Sequence, residues 1–188
     1  MRGRGYSIIE LTIVIIIVGI LAVAMALQMR SREMHKLRAA AEKMATDIRY
    51  AQQFARTTGR WAKVDFVQAC NTCYNIWWVT PGNSTENNIM DPLYPNKNII
   101  VDFNVATSPY QGVTIVFPGG NSPSCQTNGT GLNDNIYFDT NGVPWCCDSS
   151  TSGCGTMDPM TVTLSYGGRQ GTVAVEPQTG IVTVSIAP

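Results

Sequence analysis

The chain has 188 residues, 44% of them hydrophobic, with 13 acidic and 13 basic side chains. This composition supports one domain with a core plus an appended segment, and it excludes a disordered polymer. The neutral total hides a division, since residues 30–63 carry nine bases against three acids and the residues beyond carry two bases against nine acids. The basic part could face nucleic acid or lipid headgroups, but a solvated helix face is the simpler interpretation.

The first predicted element is an apolar helix of membrane-spanning length over residues 6–29. Between residues 11 and 27 only Thr12 and Gly19 interrupt a run of aliphatic residues, and Glu10 is the single charge in the segment. A carboxylate in hydrocarbon costs a few kcal/mol even on lenient insertion scales, so Glu10 calls for a partner. We therefore expect a single-pass membrane anchor with a functional acid near its start.

The residues before this helix favour a cytoplasmic amino terminus. Arg2 and Arg4 precede the apolar run, as the positive-inside tendency requires for the cytoplasmic side. No small-residue cleavage site of a secretory signal occurs before Arg30. We therefore expect the remainder of the chain to lie outside the cytoplasm.

The amino-terminal motif "RGRGYSIIELTIVIIIVGILA" resembles the class III signal of type IV pilins and type II secretion pseudopilins. The resemblance implies a leader of residues 1–5, cleavage after Gly5 by a prepilin peptidase, and N-methylation of Tyr6, where the family usually has Phe. It also implies that the new amino group, of the same or a neighbouring subunit, pairs with Glu10. Such pairing offsets the desolvation of both charges. The implied location is the inner membrane with a periplasmic head, then a filament, and the implied partners are other subunits and an assembly platform.

The helical pattern continues past the membrane segment, over residues 30–58. A 3-4 spaced apolar stripe runs through it, composed of Met34, Leu37, Ala41, Met44, Ile48, Ala51 and Ala55. No proline precedes Pro81, and no glycine lies between Gly19 and Gly59, so nothing interrupts the helix. Because the stripe is rich in alanine and only about three heptads long, we expect it to pack against a sheet rather than form a coiled coil.

Residues 59–188 are predicted to form a β-rich globular head. Predicted strands cover residues 61–67, 74–80, 98–103, 112–117, 135–139, 160–166, 171–176 and 180–186. Turn sequences such as Asn141-Gly142 and Gly167-Gly168 separate them. The predicted fold is therefore α+β, with one long helix packed on antiparallel sheets.

Three further segments resemble the H-type pseudopilin (GspH) and FimT-like minor pilin family: "DIRYAQQFARTTGRWAKVDF", "IYFDTNGVPW" and "GTVAVEPQTGIVTVS". The resemblance implies a long helix against two β-sheets. Some members of this family serve type II secretion and others serve type IV pili, and the sequence does not separate the two.

All six cysteines lie in the predicted head: Cys70, Cys73, Cys125, Cys146, Cys147 and Cys154. We expect disulfides, because the head should meet an oxidising compartment. Cys70 and Cys73 can pair across a tight turn. Vicinal cysteines rarely pair with each other, so Cys146 and Cys147 should each take Cys125 or Cys154.

We expect neither a metal, a cofactor nor an enzymatic activity. A zinc site lacks the second C-x-x-C that would make it convincing, and Tyr74 stands where a haem attachment motif requires His. The only histidine, His35, lies on the predicted helix, so no Ser-His-Asp or Cys-His arrangement can form in the head.

Two binding functions compete with a purely structural one. FimT-like relatives that bind DNA use a basic carboxyl-terminal segment, whereas "PQTGIVTVSIAP" has no base and the head is acidic, so we do not expect nucleic acid binding. An adhesive tip surface could instead use Trp77, Trp78 and Trp145. Consecutive strand residues face opposite sides, so at least one of Trp77 and Trp78 should pack in the core, and the other, if exposed, is the better candidate for a contact.

Overall fold

A computed structural model describes residues 7–66, 70, 72–80, 86–94, 96–116, 135–147, 154–156 and 160–187, without the side chains of residues 26–32. The chain divides into two compact units, one up to His35 and one from Lys36 onward.

One helix, α1, covers Ile8–Thr58. Its uninterrupted course agrees with the absence of helix breakers between Gly19 and Gly59. It ends at Gly59, which adopts a left-handed conformation with φ of 65° and donates its N–H to the carbonyl of Ala55 at 3.1 Å. Glycine adopts this conformation without steric cost, and it is the usual residue at such a helix end.

The described strands follow the helix in chain order. They are β1 Trp61–Phe66, β2 Cys73–Val79, β3 Glu86–Asn88, β4 Ile100–Asp102, β5 Thr114–Val116, β6 Asn135–Phe138, β7 Pro144–Cys147, β8 Cys154–Thr156, β9 Met160–Tyr166, β10 Arg169–Val175 and β11 Val182–Ile186.

These strands form two antiparallel sheets. The seven-stranded sheet has the order β3-β2-β1-β6-β7-β8, and β4 pairs with β2 beside β3. The four-stranded sheet has the order β11-β10-β9-β5. The predicted α+β class, a helix on two antiparallel sheets, is confirmed.

The core lies between the helix segment of the second unit and both sheets. The predicted stripe from Leu37 to Ala55 is fully buried there, together with Ala40 and Ala45. The buried cluster includes Val64 and Ile136 from the seven-stranded sheet and Val162, Leu164 and Val173 from the four-stranded sheet. The small alanine side chains let the helix backbone approach the sheets closely, so the stripe is a packing face within one chain.

Met34 does not belong to this buried face. It was predicted to begin the stripe, but its side chain is 39% exposed. The position lies one turn before Leu37 and belongs to the other compact unit.

Candidate functional site

The amino-terminal part of α1 is an apolar surface that the chain leaves uncovered. Ile8–Met25 has a mean hydropathy of 2.9 and is the one described helix segment long and apolar enough to cross a membrane. Every described side chain from Ser7 to Met25 is exposed, including Glu10. Gly5 and Tyr6, the predicted processing residues, lie outside the described residues.

A polar network joins the helix to the seven-stranded sheet inside the core. Lys43 donates to both carboxylate oxygens of Asp47 at 2.6 Å, and the hydroxyl of Tyr74 donates to Asp47 Oδ2 at 2.7 Å. Asp47 and Tyr74 are both buried. Burial, followed by the negative charge of Asp47, raises the pKa of Tyr74 well above its ordinary value of 10.0. Each buried polar group therefore has its partner, so the network orients the helix without an unpaired charge.

Long polar side chains of the helix also hold backbone carbonyls at the margins of both sheets. Arg49 donates to the carbonyl of Val182 at 2.8 Å, and Arg56 donates to that of Asn141 at 2.9 Å. Lys36 donates to the carbonyl of Gln111 at 2.7 Å and to the hydroxyl of Tyr166 at 3.2 Å. The solvated-face interpretation of the basic stripe is therefore incomplete, because these bases contact the head.

Gln52 makes the most informative of these contacts. Its amide donates to the carbonyl of Gly142 at 2.8 Å, in the turn between β6 and β7, and to that of Thr179 at 3.0 Å, in the turn between β10 and β11. One side chain thus ties a turn from each sheet to the helix. Gly180, with φ of 68°, leaves space for this amide, since a Cβ at that position would collide with Gln52. The sequence contained a signal for this arrangement, because Arg49, Gln52 and Arg56 follow a 3-4 spacing beside the apolar stripe.

The disulfides predicted for the head are present among the described residues. Cys70 pairs with Cys73, and Cys147 pairs with Cys154 across β7 and β8, where the two residues are directly opposite. Cys146 is also disulfide-bonded. Cys125, the sixth cysteine, lies outside the described residues.

The three tryptophans proposed for contacts are all half-buried. Trp77 and Trp78 face opposite sides of β2, and neither of them is the exposed contact residue that the sequence allowed for. The guanidinium of Arg60 covers Trp78 at 4.2 Å from the ring centroid, and Trp78 packs against the main core. Trp145 packs against Trp61 with the centroids 6.4 Å apart, and its indole N–H donates to Asp139 Oδ2 at 3.2 Å.

The described residues contain no group of three or more His, Cys, Asp and Glu side chains that could hold a metal ion. What they do form is an α+β protein with one helix of membrane-spanning length, a buried polar network and disulfides in its head.

Two solved structures resemble this chain. The minor pseudopilin EpsH from the type 2 secretion system of Vibrio cholerae has a TM-score of 0.48 and 10% identity, covering 80% of this chain and 97% of that one. The type IV minor pilin FimU of Pseudomonas aeruginosa has a TM-score of 0.43 and 13% identity, covering 82% and 90%. No protein-family model matches the chain. No curated protein matches it either.

Proposed function

We propose that this chain is a minor pilin or pseudopilin, a non-enzymatic subunit of a type IV pilus or type II secretion pseudopilus. The observation that carries the proposal is the uncovered apolar helix of Ile8–Met25 with Glu10 near its start. Exposing such an apolar surface to water is unfavourable. Lipid therefore covers it before assembly, and the helices of neighbouring subunits cover it afterwards. The basic leader that ends at Gly5, before the apolar run, also supports this function through its resemblance to the class III signal.

Glu10 has a specific role in this proposal. After cleavage, the amino group of Tyr6 is largely protonated at neutral pH, because an α-amino group has a reference pKa of about 7.7–8.0. Pairing this charge with Glu10 within the helix bundle offsets the desolvation of both groups and sets the register between subunits. Prepilin peptidase and an inner-membrane assembly platform are the further partners that the proposal requires.

Processing provides the direct test. Gly5→Val should block cleavage, so mass spectrometry of the purified chain should find residues 1–5 still attached. Gly3→Val is the matched control, since it places the same side chain in the leader away from the cleavage bond and should be processed normally. Normal removal of the leader from the Gly5→Val chain would refute the proposal.

The choice between the two machines rests on a separate observation. Neighbouring genes that encode secretion-type components would assign the chain to a pseudopilus, and pilus-type components would assign it to a type IV pilus.

A further inference from the structure

The strand β4 lies at an edge of the seven-stranded sheet, and one of its two sides is paired. It pairs with β2, and no other described strand pairs with it. The N–H of Ile76 donates to the carbonyl of Ile99 at 3.1 Å, and the N–H of Phe103 donates to that of Thr72 at 2.8 Å. The residues at both ends of β4 therefore direct their backbone groups toward β2.

Ile100 and Asp102 direct their backbone groups the other way. In an antiparallel pair, successive residues of a strand turn their N–H and C=O groups to opposite sides. The N–H of Ile100 donates to the carbonyl of Asn98 at 2.9 Å. The carbonyl of Ile100 and both backbone groups of Asp102 have no hydrogen-bond partner in the part of the chain that the structure describes. An open edge of this kind pairs readily with a strand of another chain, here through three hydrogen bonds.

A groove of about 400 Å³ lies along this open edge, since residues 99–102 form part of its wall. In the same wall, Ile100 is 58% exposed and Val105 is 46% exposed. The loop before β4 also reaches the groove and adds Met90 and Leu93, which are 62% and 81% exposed. Clustered exposure of this kind marks an interaction surface, whereas single exposed residues are ordinary.

The charge of the groove is acidic. Asp91 and Asp102 contribute carboxylates, and each uses Oδ1 to accept a backbone N–H of its own loop. Lys43, the cation in the wall, is already paired with Asp47. Because charges across an interface are complementary, the occupant of the groove should carry Lys or Arg together with apolar groups.

The chain has no extended basic segment of its own to offer. After the leader, all its bases lie in α1 except Arg60, Lys63, Lys97 and Arg169. Lys63 and Arg169 lie in β1 and β10, which have a strand on each side, and Arg60 directly precedes β1. The loop of Lys97 is closed on itself, since the carbonyl of Lys97 accepts the N–H of Asp91 at 2.8 Å. An extended occupant therefore comes from a different protein.

We propose that β4 accepts an extended segment of a different filament subunit, in which Lys or Arg alternates with aliphatic residues. Successive side chains of a strand point to opposite faces, so the bases lie on the face of Asp102 and the aliphatic residues on that of Val101. The stem of each base covers Ile100 while its charge approaches the carboxylates. The inference rests on the proposed function, since a filament brings a minor subunit beside subunits of other kinds.

Binding of a synthetic peptide to the purified full-length chain in uncharged detergent tests this chemistry. The probe is fluorescein-labelled Ser-Val-Lys-Val-Lys-Val-Ser, and fluorescence polarisation measures its binding. A version with N-methylated interior amides keeps the side chains but cannot donate to β4, and a version with Glu for Lys reverses the charge. Each version should bind at least tenfold more weakly than the probe. No binding of the probe, or equal binding of either version, would overturn the proposal.

Charge variants locate the bound peptide on the protein. Asp91→Asn and Asp102→Asn keep the Oδ1 acceptors but remove the charges. Each should weaken binding of the probe by about threefold, the effect of one ion pair near the surface. Glu176→Gln, in the turn before β11, is the control and should leave the affinity unchanged. Equal affinities of the native chain and all three variants would place the peptide elsewhere and refute the site.

Photocrosslinking in cells identifies the source of the segment. Leu93 is replaced by p-benzoylphenylalanine, and Ile181, an exposed aliphatic residue outside the groove, is replaced in a control chain. We expect position 93 alone to capture a different subunit with a class III signal, through a segment that contains Lys or Arg. No adduct at position 93, equal capture at position 181, capture of a second copy, or capture of a protein without that signal would each contradict the proposal.

The peptide measurement is independent of processing, so the two proposals fail separately. A chain that binds the probe but is cleaved despite Gly5→Val would refute the proposed function alone. A chain that retains its leader in Gly5→Val but does not bind the probe would refute the β4 contact alone.

Discussion

The hydroxyl of Tyr74 donates to a carboxylate that the helix brings into the core. Asp47 would be a costly buried charge without its two donors, Lys43 and Tyr74. Removing one donor leaves the carboxylate partly unsatisfied in a buried position. At the scale of single residues, stability therefore depends on satisfied polar groups as well as on apolar packing.

Tyr74→Phe should lower the free energy of unfolding by about 1–3 kcal/mol, the value of a hydrogen bond to a charged group. The measurement is the urea midpoint of the detergent-solubilised full chain. Tyr94→Phe, at an exposed position, is the control and should change the free energy by less than about 0.5 kcal/mol. Equal effects of the two substitutions would contradict the role assigned to the Tyr74 hydroxyl.

The raised pKa of Tyr74 should make the free energy of unfolding depend on pH. The folded-state pKa of Tyr74 is raised above its unfolded value of 10.0, so the unfolded chain loses this proton first as the pH rises. Stability should therefore be complete below pH 10 and fall above it, by up to about 1.4 kcal/mol per pH unit for this one group. Tyr50, whose pKa burial and Asp91 also raise, contributes in the same direction.

Unfolding of the native chain and of Tyr74→Phe between pH 8 and pH 10.5 measures this dependence. Above pH 10, the free energy of unfolding should fall less steeply with pH in Tyr74→Phe than in the native chain. The decrease that remains in the variant is due to Tyr50. Identical slopes in the two proteins would show that Tyr74 does not titrate as the buried geometry requires.

At the scale of elements, the contact between helix and sheets combines apolar packing with directed hydrogen bonds. The alanine-rich face sets how closely α1 approaches the sheets, whereas the bonds from Arg49, Gln52 and Arg56 fix where each turn lies along it. Apolar packing alone is tolerant of sliding, because hydrophobic burial has no direction. The carbonyl contacts therefore supply the register between helix and head.

Gln52→Leu should lower the free energy of unfolding by about 1–3 kcal/mol, since two hydrogen bonds worth roughly 0.5–1.5 kcal/mol each are lost. Gln53→Leu is a closely matched control, because the neighbouring glutamine is exposed and makes neither contact. Thermal unfolding of both variants measures the difference. Similar melting temperatures for the two would mean that the turn contacts add nothing.

The sequence predicted the elements whose pattern is local and periodic. The helix and the strands β9, β10 and β11 have regular apolar spacing and clear glycine turns, and the structure has them at nearly the predicted bounds. The strands β3, β7 and β8 were missed, because their sequences ENN, PWCC and CGT contain none of the valines and isoleucines that marked the equally short strands β4, β5 and β6. β3 pairs with β2, β7 pairs with β6, and β8 pairs with β7, so the extended conformation of each follows from its partner strand rather than from its own sequence.

The functional residues differ from one another in how clearly the sequence marks them. Glu10 is conspicuous in the sequence because it interrupts an apolar run. Asp47 is not conspicuous, and the 3-4 spacing places Gln52 on one helix face with Arg49 and Arg56 without showing what they contact. A polar residue on a helix acquires its role only from the turn or strand that reaches it. The exposure of Leu93 and its neighbours was likewise invisible, since apolar residues next to prolines can equally mark a buried loop.

At the scale of the whole molecule, the neutral net charge conceals a helix rich in bases and a head rich in acids. Some of this charge is used within the chain, where Lys43 pairs with Asp47 and Lys63 pairs with Asp65. The assembly proposed above would use Glu10 in the same way between subunits, inside the apolar bundle.

Glu10→Gln should leave cleavage after Gly5 intact but reduce incorporation into filaments at least tenfold, because breaking a buried ion pair costs about 3–5 kcal/mol. The fraction of the chain in sheared filaments, relative to the membrane, measures the effect. Glu10→Asp keeps the charge and should retain more incorporation than Glu10→Gln. Incorporation of Glu10→Gln at the native level would contradict the pairing.

The double contact of Gln52 has a mechanical consequence. A pulling force that enters through α1 is divided at this side chain, because one amide holds a turn from each sheet. Within the second unit, both turns would have to leave Gln52 before this segment of the helix could separate from the two sheets. Under tension, this helix segment and the two sheets therefore share the load.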